Sequence, residues 1–165
     1  MVNEADLDWC DNEGDGETQF RRKKLAAAAG GEGIGTSLYE LDPGEQSWPL
    51  HYHTANEEAI YILAGEGRLE RGMAGADVPL DPGEYVALPA DESGTHRIVN
   101  TASQDKSDGD RALRYLMIST MHEPDVTVYP EHDGIGVFVG SPPGSDDERT
   151  VSGFWEIDDA VEYWD

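Results

Sequence analysis

Short runs rich in apolar and β-branched residues recur roughly every 8–12 residues, with turn residues between them, the pattern of a sandwich or barrel of strands. Extended segments are predicted at residues 20–25, 36–41, 51–53, 58–63, 68–70, 78–80, 85–89, 96–100, 113–121, 126–129 and 135–139. Between them stand Asp42-Pro43-Gly44, Gly65-Glu66-Gly67 and Asp81-Pro82-Gly83. Pro presets φ in such turns and Gly permits a reversed φ. The apolar run 113–121 is expected at the centre of a sheet. The polar stretches 101–111 and 141–149 read as loops. Residues 158–164 are expected to close the chain as a short helix with Asp158 as N-cap.

Length and composition narrow this to one all-β domain. The chain has 165 residues, enough for a core without disulfides, with 19 Gly and 9 Pro scattered between the apolar runs. Residues 1–18 are acidic and contain several glycines, and are expected to form a flexible leader ahead of a single domain at 19–165. Cys10, the one cysteine, can form no internal disulfide. The glycines at 30, 31, 33 and 35 are too irregular for a nucleotide loop, and no Gly-Lys-Ser/Thr follows them.

Charge changes the picture further. There are 35 acidic and 11 basic residues, a formal net charge of -24. This argues against nucleic acid and anionic membrane as partners, since both demand basic patches. It suggests a salt-loving source, in which high ionic strength screens the self-repulsion. Arg21, Arg22, Lys23 and Lys24 form the one basic cluster, which is expected to pair with the protein's own acidic surface. With no signal-like start and no long apolar run, a cytoplasmic location follows by elimination.

The candidate chemistry lies in His51-Tyr52-His53-Thr54-Ala55-Asn56-Glu57-Glu58. Successive strand side chains alternate faces, so His51 and His53 share one, about 6.6 Å apart at about 3.3 Å per residue. Gly94-Thr95-His96-Arg97-Ile98-Val99-Asn100 offers a third imidazole. Imidazoles beside a carboxylate make the ligand set of an open metal site. The competing reading is three hydrogen-bonded histidines in a barrel without metal.

These segments resemble the two motifs of the cupin superfamily. Gly44, His51-Tyr52-His53, Glu58 and Gly65 match the first, and Gly83, Pro89, His96 and Asn100 the second. The spacing to Gly65 favours Glu58 over Glu57 as the carboxylate. The stretch from Gly44 to His51 and that from Pro89 to His96 are longer than usual, both in turns, where insertions are tolerated. The resemblance implies a double-stranded β-helix, or jelly-roll barrel, with its core at about 36–120 and a C-terminal extension at 122–165. It implies His51, His53, Glu58 and His96 as ligands of a divalent metal (Fe, Mn, Ni, Co or Zn).

The resemblance leaves the reaction open between isomerase, dioxygenase and decarboxylase types, with a non-catalytic small-molecule binder as the alternative. No catalytic residue is assigned beyond the ligands. Small cupins commonly pair, and the aromatic-rich ends suggest a homodimer. Tyr52, Tyr61, Tyr85 and Met117 are candidates for the barrel lining. Arg68, Arg97 and Arg114 are expected either to pair with acids or to hold a substrate anion. Asn100 reads as structural, Glu57 as a surface or outer group, and His132 as exposed.

Overall fold

The computed structural model describes residues 1–13, 18–104, 111–143, 145, 147–162 and 164, with no side-chain account of Glu13. Residues 105–110 of the expected loop 101–111 and Tyr163 of the expected helix 158–164 lie outside the described residues.

Among the described residues, thirteen strands form two facing layers. One is a six-stranded antiparallel sheet. It contains β1 (Cys10–Glu13), β2 (Gln19–Lys24), β3 (Ile34–Leu41), β10 (Leu113–Thr120), β5 (Glu58–Ala64) and β8 (Tyr85–Leu88), in that order. The apolar run β10 is central, between β3 and β5. Opposite lie β13 (Val151–Glu156), β12 (Gly134–Val139), β11 (Asp125–Tyr129) and the two-residue β4 (Tyr52–His53). A three-stranded sheet of β7 (Val78–Leu80), β6 (Gly67–Glu70) and β9 (Arg97–Asn100) completes that side. An antiparallel bridge between His51 and His96 joins the β4 and β9 edges. This is the jelly-roll barrel that the resemblance implied.

Period-two alternation builds the core. On β5, Ile60 and Ile62 are fully buried, whereas Tyr61 faces outward opposite Tyr85 of β8. Leu41, Leu69, Leu80, Leu88, Ile98, Leu113 and Tyr115 come in from the other strands to the same cluster. The β5–β6 turn requires glycine at 65. Its φ is +83°, and a Cβ there would lie 2.5 Å from the Ala112 carbonyl oxygen. Asn100 proves structural, donating to the carbonyls of Leu41 (2.9 Å) and Arg111 (3.0 Å).

Three sequence expectations need correction. Part of the acidic leader belongs to the sheet, because β1 pairs with β2 and the basic cluster binds it: Lys23 Nζ reaches Glu4 (3.0 Å) and lies over the Trp9 ring. The barrel extends past residue 120, since β11 supplies the neighbour of β4. The C-terminal helical segment shrinks to one 3-10 turn, Ile157–Asp159, capped at Glu156 and not Asp158. A helix that short has too few hydrogen bonds to offset its nucleation cost.

Candidate metal centre

His51 and His96 are brought together by main-chain pairing. His51 N donates to His96 O (3.2 Å) and His96 N to His51 O (2.9 Å), leaving the two ring centres 4.5 Å apart. His53, two residues along on the same face, stands 5.2 Å from the His51 ring. Glu58 enters from the facing sheet as the first residue of β5. Its Oε2 lies 3.6 Å from His53 Nε2 and 3.4 Å from His96 Nε2. The ligand atoms of His51, His53 and Glu58 lie within 4.8 Å of one another, and His96 joins them through Glu58. The four side chains thus converge at the wall of a cavity of about 580 Å³.

Each imidazole is oriented by its other nitrogen. His51 Nδ1 donates to the Pro49 carbonyl (2.7 Å), His96 Nδ1 to the Gly94 carbonyl (2.9 Å), and His53 Nδ1 to Asp125 Oδ2 (2.6 Å). A carbonyl or carboxylate can only accept, so each Nδ1 carries the proton and each neutral ring turns an Nε2 lone pair toward the cluster. Gly94 is needed here: a Cβ would sit 2.0 Å from the Pro89 carbonyl oxygen.

The cupin domain family model matches residues 37–118, a stretch that contains all four converging side chains. The chain belongs to the cupin superfamily. A candidate sugar phosphate isomerase from Acidithiobacillus ferrooxidans is 25% identical with a TM-score of 0.69, over 88% of this cupin and 81% of that chain. A sugar phosphate isomerase of the cupin superfamily from Silicibacter pomeroyi reaches a TM-score of 0.72 at 21% identity, over 97% and 94% of the two chains. A predicted oxalate decarboxylase from Thermotoga maritima gives 0.57 at 24% identity, over 73% of this cupin and 97% of that chain. No protein of curated function matches the chain.

The three histidines of this cupin differ electrostatically. Burial, reinforced by the other imidazoles, pushes the His51 pKa well below its usual value. Burial also lowers that of His96, against the pull of Glu58. At His53 burial is outweighed by the bond to Asp125 and the charge of Glu58, so its pKa is raised. Asp125 is lowered in return: burial opposes ionisation, but the bond to His53 prevails.

His53 therefore takes the first proton on acidification. Metal binding needs its Nε2 free, so metal affinity is expected to decline with falling pH from the point at which metal-free His53 begins to protonate, and that point is raised above the ordinary imidazole value. Asp125 Oδ1 also accepts from the Ala55 amide (3.0 Å). Asp125→Asn cannot keep both acceptor bonds. It is expected to weaken metal binding about 10–100-fold, and to lower the pH at which the metal-free imidazole protonates, because no carboxylate then lifts it. A metal titration followed across pH checks both effects.

Other sequence candidates fall elsewhere. Glu57 is exposed, and its amide donates to Thr120 Oγ1 (3.1 Å). Tyr61 and Tyr85 are 38% and 63% exposed and do not line the barrel, whereas Met117 does. Arg68, Arg97 and Arg114 pair with Glu70, Glu131 and Glu40 respectively. His122 and His132 are exposed.

Asp125, Thr127 and Tyr129 were missed. Thr127 Oγ1 lies 3.2 Å from His53 Nδ1, and the Tyr129 ring stands 5.9 Å from that of His51, its pKa pushed up to about 12 by burial. Their signal was the alternation Asp125, Thr127, Tyr129 along one strand face.

Proposed function

We propose that this cupin is a metal-dependent enzyme acting on a small polar molecule, with His51, His53, Glu58 and His96 as the ligands. One observation carries the reading. Among the described residues, Glu58 Oε2 and His96 Nε2 are buried side-chain atoms with no hydrogen-bond partner. Leaving such groups unsatisfied costs about 1–3 kcal/mol each. Ligands about 2.1 Å from one ion lie roughly 3–4 Å from one another, and the separations of 3.4 Å and 3.6 Å about Glu58 suit that. The mixed N,O set fits Fe, Mn, Ni, Co or Zn.

A bound divalent ion would polarise a carbonyl or hydroxyl oxygen of the substrate, or lower the pKa of water. The protein's own part is to hold the three imidazoles in one tautomer and to set the Tyr129 ring beside them, 5.9 Å from that of His51. The likeness to a candidate sugar phosphate isomerase supports the isomerase class ahead of decarboxylase or dioxygenase chemistry.

The test is a metal content measurement after exposure to each of the five ions, followed by a turnover screen. Proton exchange on aldose and ketose phosphates would be read by NMR, and small organic acids tested with oxygen uptake. Turnover is expected with metal and is lost on chelation. A protein that retains no metal overturns the reading, and a metal-loaded protein that binds without turnover is a binder.

A further inference from the structure

The basic cluster is divided by strand alternation. On β2, Arg21 and Lys23 point to one side, where they meet Glu40 and Glu4. Arg22 and Lys24 line the cavity that holds the histidine–glutamate cluster. Among the described residues, Arg22 has neither a carboxylate nor a carbonyl partner, in a chain with 35 acidic residues. The other arginines each have one: Arg21, Arg68, Arg97, Arg111 and Arg114 a carboxylate, Arg71 and Arg149 backbone carbonyls. Arg22 instead donates to the Tyr39 hydroxyl (3.2 Å), and its guanidinium lies over the Trp48 ring at 5.7 Å.

Two further donors stand in the same cross-strand row. Arg22 pairs with Tyr39 across β2 and β3, and Tyr39 with Tyr115 across β3 and β10. The two tyrosine rings stack at 5.2 Å. The Tyr39 oxygen accepts from Arg22 and, at 3.4 Å, from Trp48 Nε1, and no acceptor for its own proton is found among the described residues. Tyr115 is fully buried and lines the cavity, its hydroxyl beside that of Ser47. The Ser47 hydroxyl accepts from the Ile98 amide (3.0 Å) and keeps a second lone pair and its own proton for Tyr115. A buried phenol beside a guanidinium that has no carboxylate partner suits an acceptor rich in oxygen.

Ser119, opposite Glu58, follows Tyr115 by four residues on the same face of β10, about 13 Å further along at about 3.3 Å per residue. The cavity therefore offers hydrogen-bond donors on the wall formed by β2, β3 and the start of β10, and the carboxylate and Nε2 lone pairs toward the end of β10. We infer that Arg22, Tyr39 and Tyr115 form an oxyanion-binding subsite. The cavity then takes a short-chain carboxylate or phosphate monoester, its charged end on Arg22 and its remaining oxygens toward the His51–His53–Glu58–His96 cluster. This deepens the proposed function and shares its cavity, but the subsite itself requires no metal.

The test uses the full chain, stripped of metal and freed of chelator, because a bound ion would itself attract anions. Inorganic phosphate and malonate are titrated calorimetrically at fixed ionic strength. Saturable binding of one or both is expected, and their ratio tells a phosphate subsite from a carboxylate one. Arg22→Gln retains a stem that can pack on Trp48 and is expected to weaken binding at least tenfold. Tyr115→Phe, which keeps the ring, weakens it several-fold. Arg68→Ala, equal in charge change but outside the cavity, leaves it unaltered. No saturable binding by the wild type overturns the inference, as does unchanged affinity in both cavity variants. Metal content of the same preparations separates the two readings: anion bound without metal retention removes the metal centre and leaves the subsite, and the reverse result does the opposite.

Discussion

Replacing His51, His53, Glu58 or His96 by alanine is expected to reduce metal affinity at least 100-fold, while Glu57→Ala leaves metal content at the wild-type level. Outer hydrogen-bond partners of metal ligands are worth about 10–100-fold, and a direct ligand contributes more. The adjacent glutamates make the comparison sharp, since they have equal charge and neighbouring positions. Glu58 Oε2 stands 3.4 Å from His96 Nε2, whereas the Glu57 side chain is exposed. A purely electrostatic attraction of cations to this acidic protein would be weakened equally by either substitution. Metal analysis of the purified variants decides, and equal loss from Glu57→Ala and Glu58→Ala would remove the site.

The melting temperature is expected to rise by 10 °C or more between about 0.1 M and multimolar salt, as the Debye length falls from about 10 Å to about 3 Å or less. Two effects compete. Salt weakens surface ion pairs such as Arg97–Glu131 and Arg111–Glu66, but exposed pairs contribute only about 0–1 kcal/mol each. Salt also screens the repulsion of a net charge of -24, which acts over the whole surface. Repulsion wins because it sums over many like-charged neighbours, while the favourable pairs are few. At about 2–4 °C per kcal/mol for a domain of this size, such a rise corresponds to a few kcal/mol. A scanning calorimetry series in KCl that stays flat would contradict this.

The barrel was legible because its signals are local. Turn residues bracket each strand, and alternation alone predicts that Ile60 and Ile62 face in. The convergence of His51 and His53 follows from the same period. What the sequence hid is long-range pairing. Asp125 sits 72 residues from His53, and nothing near either one announces their 2.6 Å contact. The Arg21–Lys24 cluster was read by composition, as a block of charge. Read by alternation, it would have separated into Arg21 and Lys23 on one face and Arg22 and Lys24 on the other. β13 and its partner β12 were half seen, because the exposed Phe154 and Trp155 interrupt the alternation that marks a strand.

β4 is only two residues long and has β11 as its sheet partner, through Thr127 opposite His53 and Val128 opposite Tyr52. This has a consequence for the order of events during synthesis. All four candidate ligands have been added once the ribosome passes His96, but β11 ends only at Tyr129. At roughly 5–20 residues per second, the nascent chain spends seconds with its imidazoles made and nothing to seat His53. An ion captured in that interval would meet loose side chains and not a shaped site. Selection among metals would then be left to the finished chain, and the pool that the released protein meets, rather than the one around the ribosome, would decide which ion is bound.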